Sequence, residues 1–248
     1  DNDLHGTDHC PGFPSAARYI AKSAMEVYHD ANVYNNGQIT VLEIMGRNAG
    51  WLVGASALAG EYAPDLIYLP EVSFDLDRMV EEINGRYIPE LVGEVKTDAF
   101  GHKQMGGAAQ VLGDYLANQM DVKIRTIEFS LLQRCAAHQA SQIDIDEAYG
   151  VGAEAVRQAI AGKTDYMIGI KRTQNKPYAS EFILVELSEA ANTEDKVPRE
   201  WINEEGNNVT QDFIDYVRPL ISVPANPPQV DGLPRFAKLK KVQAGVKR

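Results

Sequence analysis

Apolar strands alternate with apolar helices through the first half of this chain, and that alternation leaves few architectures open. Residues 39–45 read as a buried strand, and Trp51, Leu52, Val53, Ala55, Ala57, Leu58 and Ala59 just beyond it are so uniformly small and apolar that they must pack against a sheet. Before them, Pro11-Gly12-Phe13-Pro14 forms a turn with Pro14 suited to a first helical position, and Ala17, Ile20, Ala21, Ala24 and Tyr28 recur at helical spacing to about residue 29. Asn35-Asn36-Gly37 is a turn. A strand over 65–69 closed by Pro70-Glu71, a helix over 74–83, loop-like sequence over 84–96, a helix over 102–118, a strand over 122–129 and a helix over 143–161 continue the series. Strands separated by helices imply crossovers, so the expected class is α/β with a parallel, doubly wound sheet. Residues 166–170 and 182–187 pair across the turn Asn175-Lys176-Pro177, 209–220 is the last helix, and the tail with Lys238, Lys240, Lys241, Lys247 and Arg248 is solvated.

At 248 residues the chain can form one large or two small domains with a substantial core. A net charge of −11 argues against a general nucleic-acid or anionic-membrane binder, although phosphate ligands need only a local cluster of Arg and Lys. No apolar run is long enough to span a bilayer, and no signal segment opens the sequence. Cys10 and Cys135 form no disulfide framework and read as small buried apolar residues, in keeping with a reducing, cytoplasmic setting.

Two short polar motifs carry the chemistry. The first is Asp1-Asn2-Asp3-Leu4-His5-Gly6-Thr7-Asp8 and the second Met45-Gly46-Arg47-Asn48-Ala49-Gly50. A carboxylate cluster followed by an arginine at a strand-to-helix turn suits phosphoryl transfer onto a sugar phosphate: one group takes a hydroxyl proton and a fixed cation holds negative oxygen. Asp1 and Asp3 converge on a metal or a hydroxyl only in a turn; acids at such a position otherwise cap or solvate. The triplet also resembles the Asp-x-Asp nucleophile of haloacid-dehalogenase phosphatases, but His5 stands where that motif wants Thr or Val. Metal ligation by His5, His9 and Cys10 is disfavoured by Gly6 and Pro11, leaving polar loop histidines. Arg47 sits at the carboxyl end of a strand, where open α/β folds bind ligands, or in an ordinary turn capped by Asn48. Arg125 and Arg134 either clamp a phosphate together or lie separately on the surface.

Asp1-Asn2-Asp3, Gly6-Thr7-Asp8, Gly12-Phe13, Met45-Gly46-Arg47 with Gly50, Pro70-Glu71 and Gln133-Arg134 resemble, in order and approximate spacing, the motifs of the phosphofructokinase family, over nearly the whole chain. The resemblance implies two doubly wound, Rossmann-like α/β domains with the active site in the cleft between them. Here residues 1–20 would end the donor domain's catalytic loop, 21–132 form the sugar-phosphate domain, 133–208 return to the donor domain, and 209–248 make the C-terminal helix and tail. It also implies a glycolytic transferase that phosphorylates the C1 hydroxyl of fructose 6-phosphate, with Asp1 as base and Asp3 organising Mg2+ and the phosphoryl group. Met45, Gly46 and Arg47 would line the sugar-phosphate site, Arg125 would grip the 6-phosphate, and Leu131, Leu132, Gln133 and Arg134 would form a sugar-phosphate segment. A homodimer or homotetramer is implied as well. A non-catalytic sugar-phosphate-binding regulatory paralogue is the alternative, and Asp1 speaks against it.

The chain departs from the family pattern at Leu131, where bacterial ATP-dependent members carry a phosphate-binding histidine, and at Gln38, where they carry an arginine that crosses the subunit interface. The Gly-Gly-Asp donor loop would lie upstream of Asp1, and the family has a further core strand, ending in a substrate-binding glutamate, between the positions of Ile83 and Asn84. The sequence therefore reads as part of a longer protein, expected to lack kinase activity by itself. The phrases around Met45–Leu52 and Ala63–Glu71 look most like the diphosphate-using bacterial subgroup, so diphosphate is the expected donor, with ATP the alternative.

Overall fold

A computed structural model describes residues 2–33, 38–83, 96–97, 103–104, 107–119, 122–238 and 240. Asp1, the turn at 35–37, the segment 84–95 and tail residues Lys241, Lys247 and Arg248 lie outside the described residues.

Helix α1 (Phe13–Ala31) buries Phe13, Ala16, Ala17, Ile20, Ala21 and Ala24 on one face, as the sequence periodicity requires. Strand β1 (Gln38–Glu43) leads to a short helix α2 (Trp51–Gly54), which passes directly into a 3-10 turn over Ala55–Tyr62. The single helix expected over residues 51–59 is thus tightened halfway. Ser56 donates its hydroxyl to the carbonyl of Val53 at 2.6 Å and competes with the regular backbone ladder there. Helix α3 (Leu76–Ile83) follows. Then come the two-residue strands β2 (Lys96–Thr97) and β3 (Lys103–Gln104), paired antiparallel, and helix α4 (Ala108–Gln119).

Strand β4 (Lys123–Glu128) runs parallel to β1, with Gln38 opposite Lys123 and Glu43 opposite Glu128. Side chains alternate across this pair. Ile39, Val41 and Ile124 pack against Met79, Val80, Tyr115 and Leu116 on one side. Leu42 and Ile127 face α1 and the larger core on the other. A parallel pair covered by helices on both faces is the doubly wound layering expected.

The expected strand at 65–69 is not present. Residues 66–69 carry no regular secondary structure, and the N–H of Ile67 goes to the carbonyl of Asn207 at 2.7 Å rather than to a neighbouring strand. A cavity of about 880 Å³ separates this segment from β1, lined among others by Val41, Leu66, Tyr68, Met79, Leu112 and Leu116.

Beyond β4 come α5 (Leu132–Cys135), a 3-10 turn over Ala137–Gln139, and α6 (Gln142–Ile160). Strands β5 (Tyr166–Asn175) and β6 (Tyr178–Glu186) form the antiparallel hairpin read from the sequence. A short helix α7 (Leu187–Ala190), a 3-10 turn over Arg199–Trp201, helix α8 (Gln211–Ile221) and the small ladder of β7 (Gln229–Val230) with β8 (Leu233–Pro234) complete the chain. Helix α8 drives Phe213, Val217 and Leu220 into the core beside α1 and Trp51.

Candidate active site

The acidic loop is fastened to the edge of the β5–β6 hairpin. Asp8 donates its N–H to the carbonyl of Ile170 at 2.7 Å, and the Thr7 hydroxyl accepts the N–H of Ile170 at 2.9 Å. Gly6 (φ 85°) is where the loop turns against β6: a Cβ there would lie 2.6 Å from Cγ1 of Val185. The loop's entry is held by Asn2, whose Oδ1 accepts the N–H of Cys10 at 2.8 Å and whose Nδ2 donates to Tyr216 at 3.1 Å.

Behind the loop lies a buried charge network that the motif reading missed. The His9 ring, 1% exposed, bonds through Nδ1 to Asp8 at 2.8 Å and through Nε2 to Glu147 at 2.7 Å. Glu147 also accepts the hydroxyls of Tyr178 at 2.7 Å and Ser180 at 2.6 Å. Asp8 in turn meets the Arg172 guanidinium at 2.9 Å, whose plane lies over the rings of Tyr178 and Tyr216. The Tyr216 hydroxyl donates to the backbone carbonyl of Asp8. Burial alone would push the His9 imidazole down, but hydrogen bonds and charge from Asp8 and Glu147 outweigh it and hold the pKa above its ordinary value. For Asp8 burial acts upward and is overcome by the bonds from His9 and Arg172, so its carboxyl is held low. For Glu147 burial is overcome in the same way by His9, Ser180 and Tyr178. Both ring nitrogens thus face a carboxylate, a geometry that favours the doubly protonated ring. His9 is therefore buried between two acids, not the polar loop residue expected. His5 fits that expectation better: it is half-exposed and bonds Asp195 at 2.7 Å, which raises its pKa.

The second motif follows β1. Met45, Gly46 and Arg47 run from the carboxyl end of that strand toward α2, so Arg47 is placed as a strand-to-helix turn requires; both Gly46 and Arg47 are exposed. The next turn is built on Glu71, whose Oε1 accepts the N–H of Gly50 at 2.8 Å and that of Val197 at 2.9 Å. Gln133, 2% exposed, crosses from α5 and accepts the N–H of Met45 at 3.2 Å, while its own amide donates to the carbonyl of Ser130. The structure therefore joins the Gln133 segment to Met45-Gly46-Arg47 at the carboxyl ends of the two parallel strands. Leu131, Leu132 and Arg134 beside it are exposed.

Arg125 stands elsewhere. It is opposite Thr40 within β4, three residues before the strand ends, and lines a groove with Tyr19, Ser23, Glu26 and Asp30 of α1 that Arg134 does not share. Cys10 is half-buried and Cys135 is exposed, correcting the expectation of two buried thiols; α5 is only four residues long and turns its last side chain outward. The 880 Å³ cavity is lined by neither Asp3, Arg47 nor Arg134, so it is not the site of these groups.

The phosphofructokinase family model matches residues 1–159, which takes in the acidic loop, the Met45-Gly46-Arg47 turn and Gln133-Arg134. The chain belongs to the phosphofructokinase family. It is 38% identical to a pyrophosphate–fructose 6-phosphate 1-phosphotransferase of Halomonas elongata, over 97% of this chain and 63% of that protein. It is 36% identical to the protein of the same name from Methylococcus capsulatus, over 98% of this chain and 63% of the relative. Among solved structures it is similar to a pyrophosphate-dependent phosphofructokinase from Marinobacter aquaeolei, with a TM-score of 0.82, 36% identity, and coverage of 99% of this chain and 64% of the other. The phosphofructokinase fold is thereby established, and the chain spans about 63% of the length of these curated relatives. No helix among the described residues is long and apolar enough to cross a membrane.

Proposed function

We propose that the complete protein transfers a phosphoryl group from diphosphate to the C1 hydroxyl of fructose 6-phosphate. The observation that carries this reading is the fastening of the acidic loop and the Met45-Gly46-Arg47 turn to one another through residues 194–195. The relatives named as diphosphate-dependent phosphotransferases support the choice of donor and acceptor.

Asp1 accepts the proton of the C1 hydroxyl as its oxygen bonds to the incoming phosphorus, and the bond from phosphorus to the departing phosphate breaks. Arg47 and Arg134 hold the sugar phosphate by fixed positive charge, whereas Arg125, in its separate groove against α1, is given no contact with it within this chain. Met45 and Gly46 shape the site, and Gln133 fixes Met45 from behind. Leu131 and Leu132 present exposed apolar surface on the same segment. Among the described residues no group of three or more His, Cys, Asp or Glu gathers to hold a metal. Magnesium that takes most of its ligands from water and phosphate oxygens needs only one or two carboxylates, and Asp3 would supply one. Bound there, Mg2+ would neutralise developing charge on the phosphoryl oxygens. The division into donor and sugar-phosphate domains, a homodimeric or homotetrameric state and a cytoplasmic setting belong to the same reading.

The test is to assay the complete protein with fructose 6-phosphate and either diphosphate or ATP. Turnover with diphosphate is expected, and Asp1→Ala should lower kcat by at least about 10²-fold while sugar-phosphate binding persists. No turnover with either donor would overturn the proposal.

A further inference from the structure

Residues 194–197 carry no helix and only a single isolated bridge, yet they bond to both loops of the candidate site. Glu194 makes that antiparallel bridge with Leu4. Asp195 donates its N–H to the carbonyl of Asp3 at 2.9 Å, and its own carbonyl accepts the indole N–H of Trp51 at 2.9 Å. The backbone of one residue, Asp195, thus touches the acidic loop through its N–H and the start of α2 through its carbonyl. The side chains repeat the pattern: Asp195 takes the His5 ring at 2.7 Å, and Glu194 accepts both oxygens' worth of contact from Asn48 Nδ2, at 3.0 and 3.1 Å. Val197 closes the far end by sharing Glu71 Oε1 with Gly50.

The geometry points to residues 194–197 as a strap that sets the spacing between the acidic loop and the Arg47 turn, with Glu194 as a positioning residue for the transfer reaction. The inference rests on the function proposed above. Glu194 and Asn48 are both exposed, so their contact contributes little to stability. Its consequence is geometric. Asn48 is the residue after Arg47, and Glu194 is the residue before the one that holds Asp3. Releasing this contact frees the sugar-side loop to move relative to the acid-side loop, and misplacement of about 1 Å between reacting groups can cost about 10²-fold in rate.

The test compares Glu194→Ala and Glu194→Gln in the complete natural protein. Measurements are kcat and KM with fructose 6-phosphate and diphosphate, the melting temperature, and the indole 1H–15N resonance of Trp51, assigned by its loss in a Trp51→Phe variant. Glu194→Ala should shift the Trp51 resonance and lower kcat about tenfold, with a smaller change in KM and little change in melting temperature. Glu194→Gln keeps an acceptor for Asn48 and should recover most of the lost kcat. The double variant Asn48→Ala/Glu194→Ala should be no slower than the slower single variant, since both remove the same contact. A moved Trp51 resonance with unchanged kcat, or a Gln variant as slow as Ala, overturns the strap. If the unmutated protein turns over with neither donor, the proposed reaction fails instead. The strap is then judged by Trp51 alone, and an unmoved resonance in Glu194→Ala overturns it.

Discussion

Glu147 offers the sharpest test of what holds the acidic loop in place. Its carboxylate, 8% exposed, accepts from His9 Nε2 at 2.7 Å, from Tyr178 at 2.7 Å and from Ser180 at 2.6 Å. Glu147→Ala leaves an imidazolium with one carboxylate where it had two, and it orphans two hydroxyls. Removing one partner of a buried ion pair costs about 3–5 kcal/mol. At about 2–4 °C per kcal/mol for a domain of this size, the melting temperature should fall by about 6–20 °C. Glu147→Gln separates charge from shape. Its single oxygen can still serve Tyr178 and Ser180, and its amide then faces His9 Nε2 as a donor, which only a neutral imidazole can accept. The His9 pKa should therefore drop in the Gln variant.

The pH dependence follows from the directions of the shifts. His9 is raised above 6.5 in the folded protein, so its contribution is complete below 6.5 and is lost as pH rises through the folded value. Asp8 and Glu147 are held below 3.8 and 4.5, so theirs is complete above those values and is lost as pH falls through the folded ones. Urea unfolding from about pH 2 to pH 9, with the His9 ring followed by NMR, checks both. The unmutated protein should lose stability on the alkaline side, and Glu147→Gln should be flat there. A Glu147→Ala cost below about 1 kcal/mol, the size of an ordinary exposed contact, would refute the reasoning.

Other substitutions probe the remaining joints. Arg172→Ala strips Asp8 of its guanidinium and should cost about 3–5 kcal/mol by urea unfolding, with the His9 bond to Asp8 retained. Gly50→Ala would place a Cβ 2.7 Å from both Glu71 Oε2 and Leu69 Cδ2, and should cost about 1–3 kcal/mol in thermal unfolding. Gln133→Ala removes the acceptor of the Met45 N–H and should cost about 1–3 kcal/mol while raising KM for the sugar phosphate more than it lowers kcat.

What the sequence makes legible here is local. The stripe Ala17, Ile20, Ala21 and Ala24 announces α1 because a helix's buried face follows from spacing alone. β1, β4 and the β5–β6 hairpin are equally plain, and the position of Arg47 at a strand's carboxyl end follows from them. The segment 65–69 was misread for the complementary reason: its apolar run satisfies a strand's composition, but whether a ladder forms depends on a neighbour, and its N–H finds Asn207 instead. His9 was misread because nothing near it in the chain foretells burial; its decisive partner, Glu147, lies 138 positions away. The bond from Gln133 to Met45 spans 88 positions, and only the family resemblance linked the two segments beforehand.

The same distinction explains how the site is held. The groups expected to touch substrate sit on short polar stretches whose own bonds are too few to fix them: Asp3 through a carbonyl, Met45 through an N–H, and Arg47 at an exposed turn. Rigidity reaches them from elements that look unremarkable in sequence. Helix α6 supplies Glu147, the hairpin supplies Arg172, Tyr178 and Ser180, α8 supplies Tyr216, and the irregular segment before Arg199 supplies Glu194 and Asp195. Preorganisation demands that the charges not move as the reaction proceeds. A buried ion network behind one loop and a strap across to the other meet that demand, while the exposed face of each loop stays open to a ligand. Glu147→Gln and Glu194→Ala should accordingly differ in kind. The first should alter how stability depends on pH, and the second should alter rate at nearly constant stability.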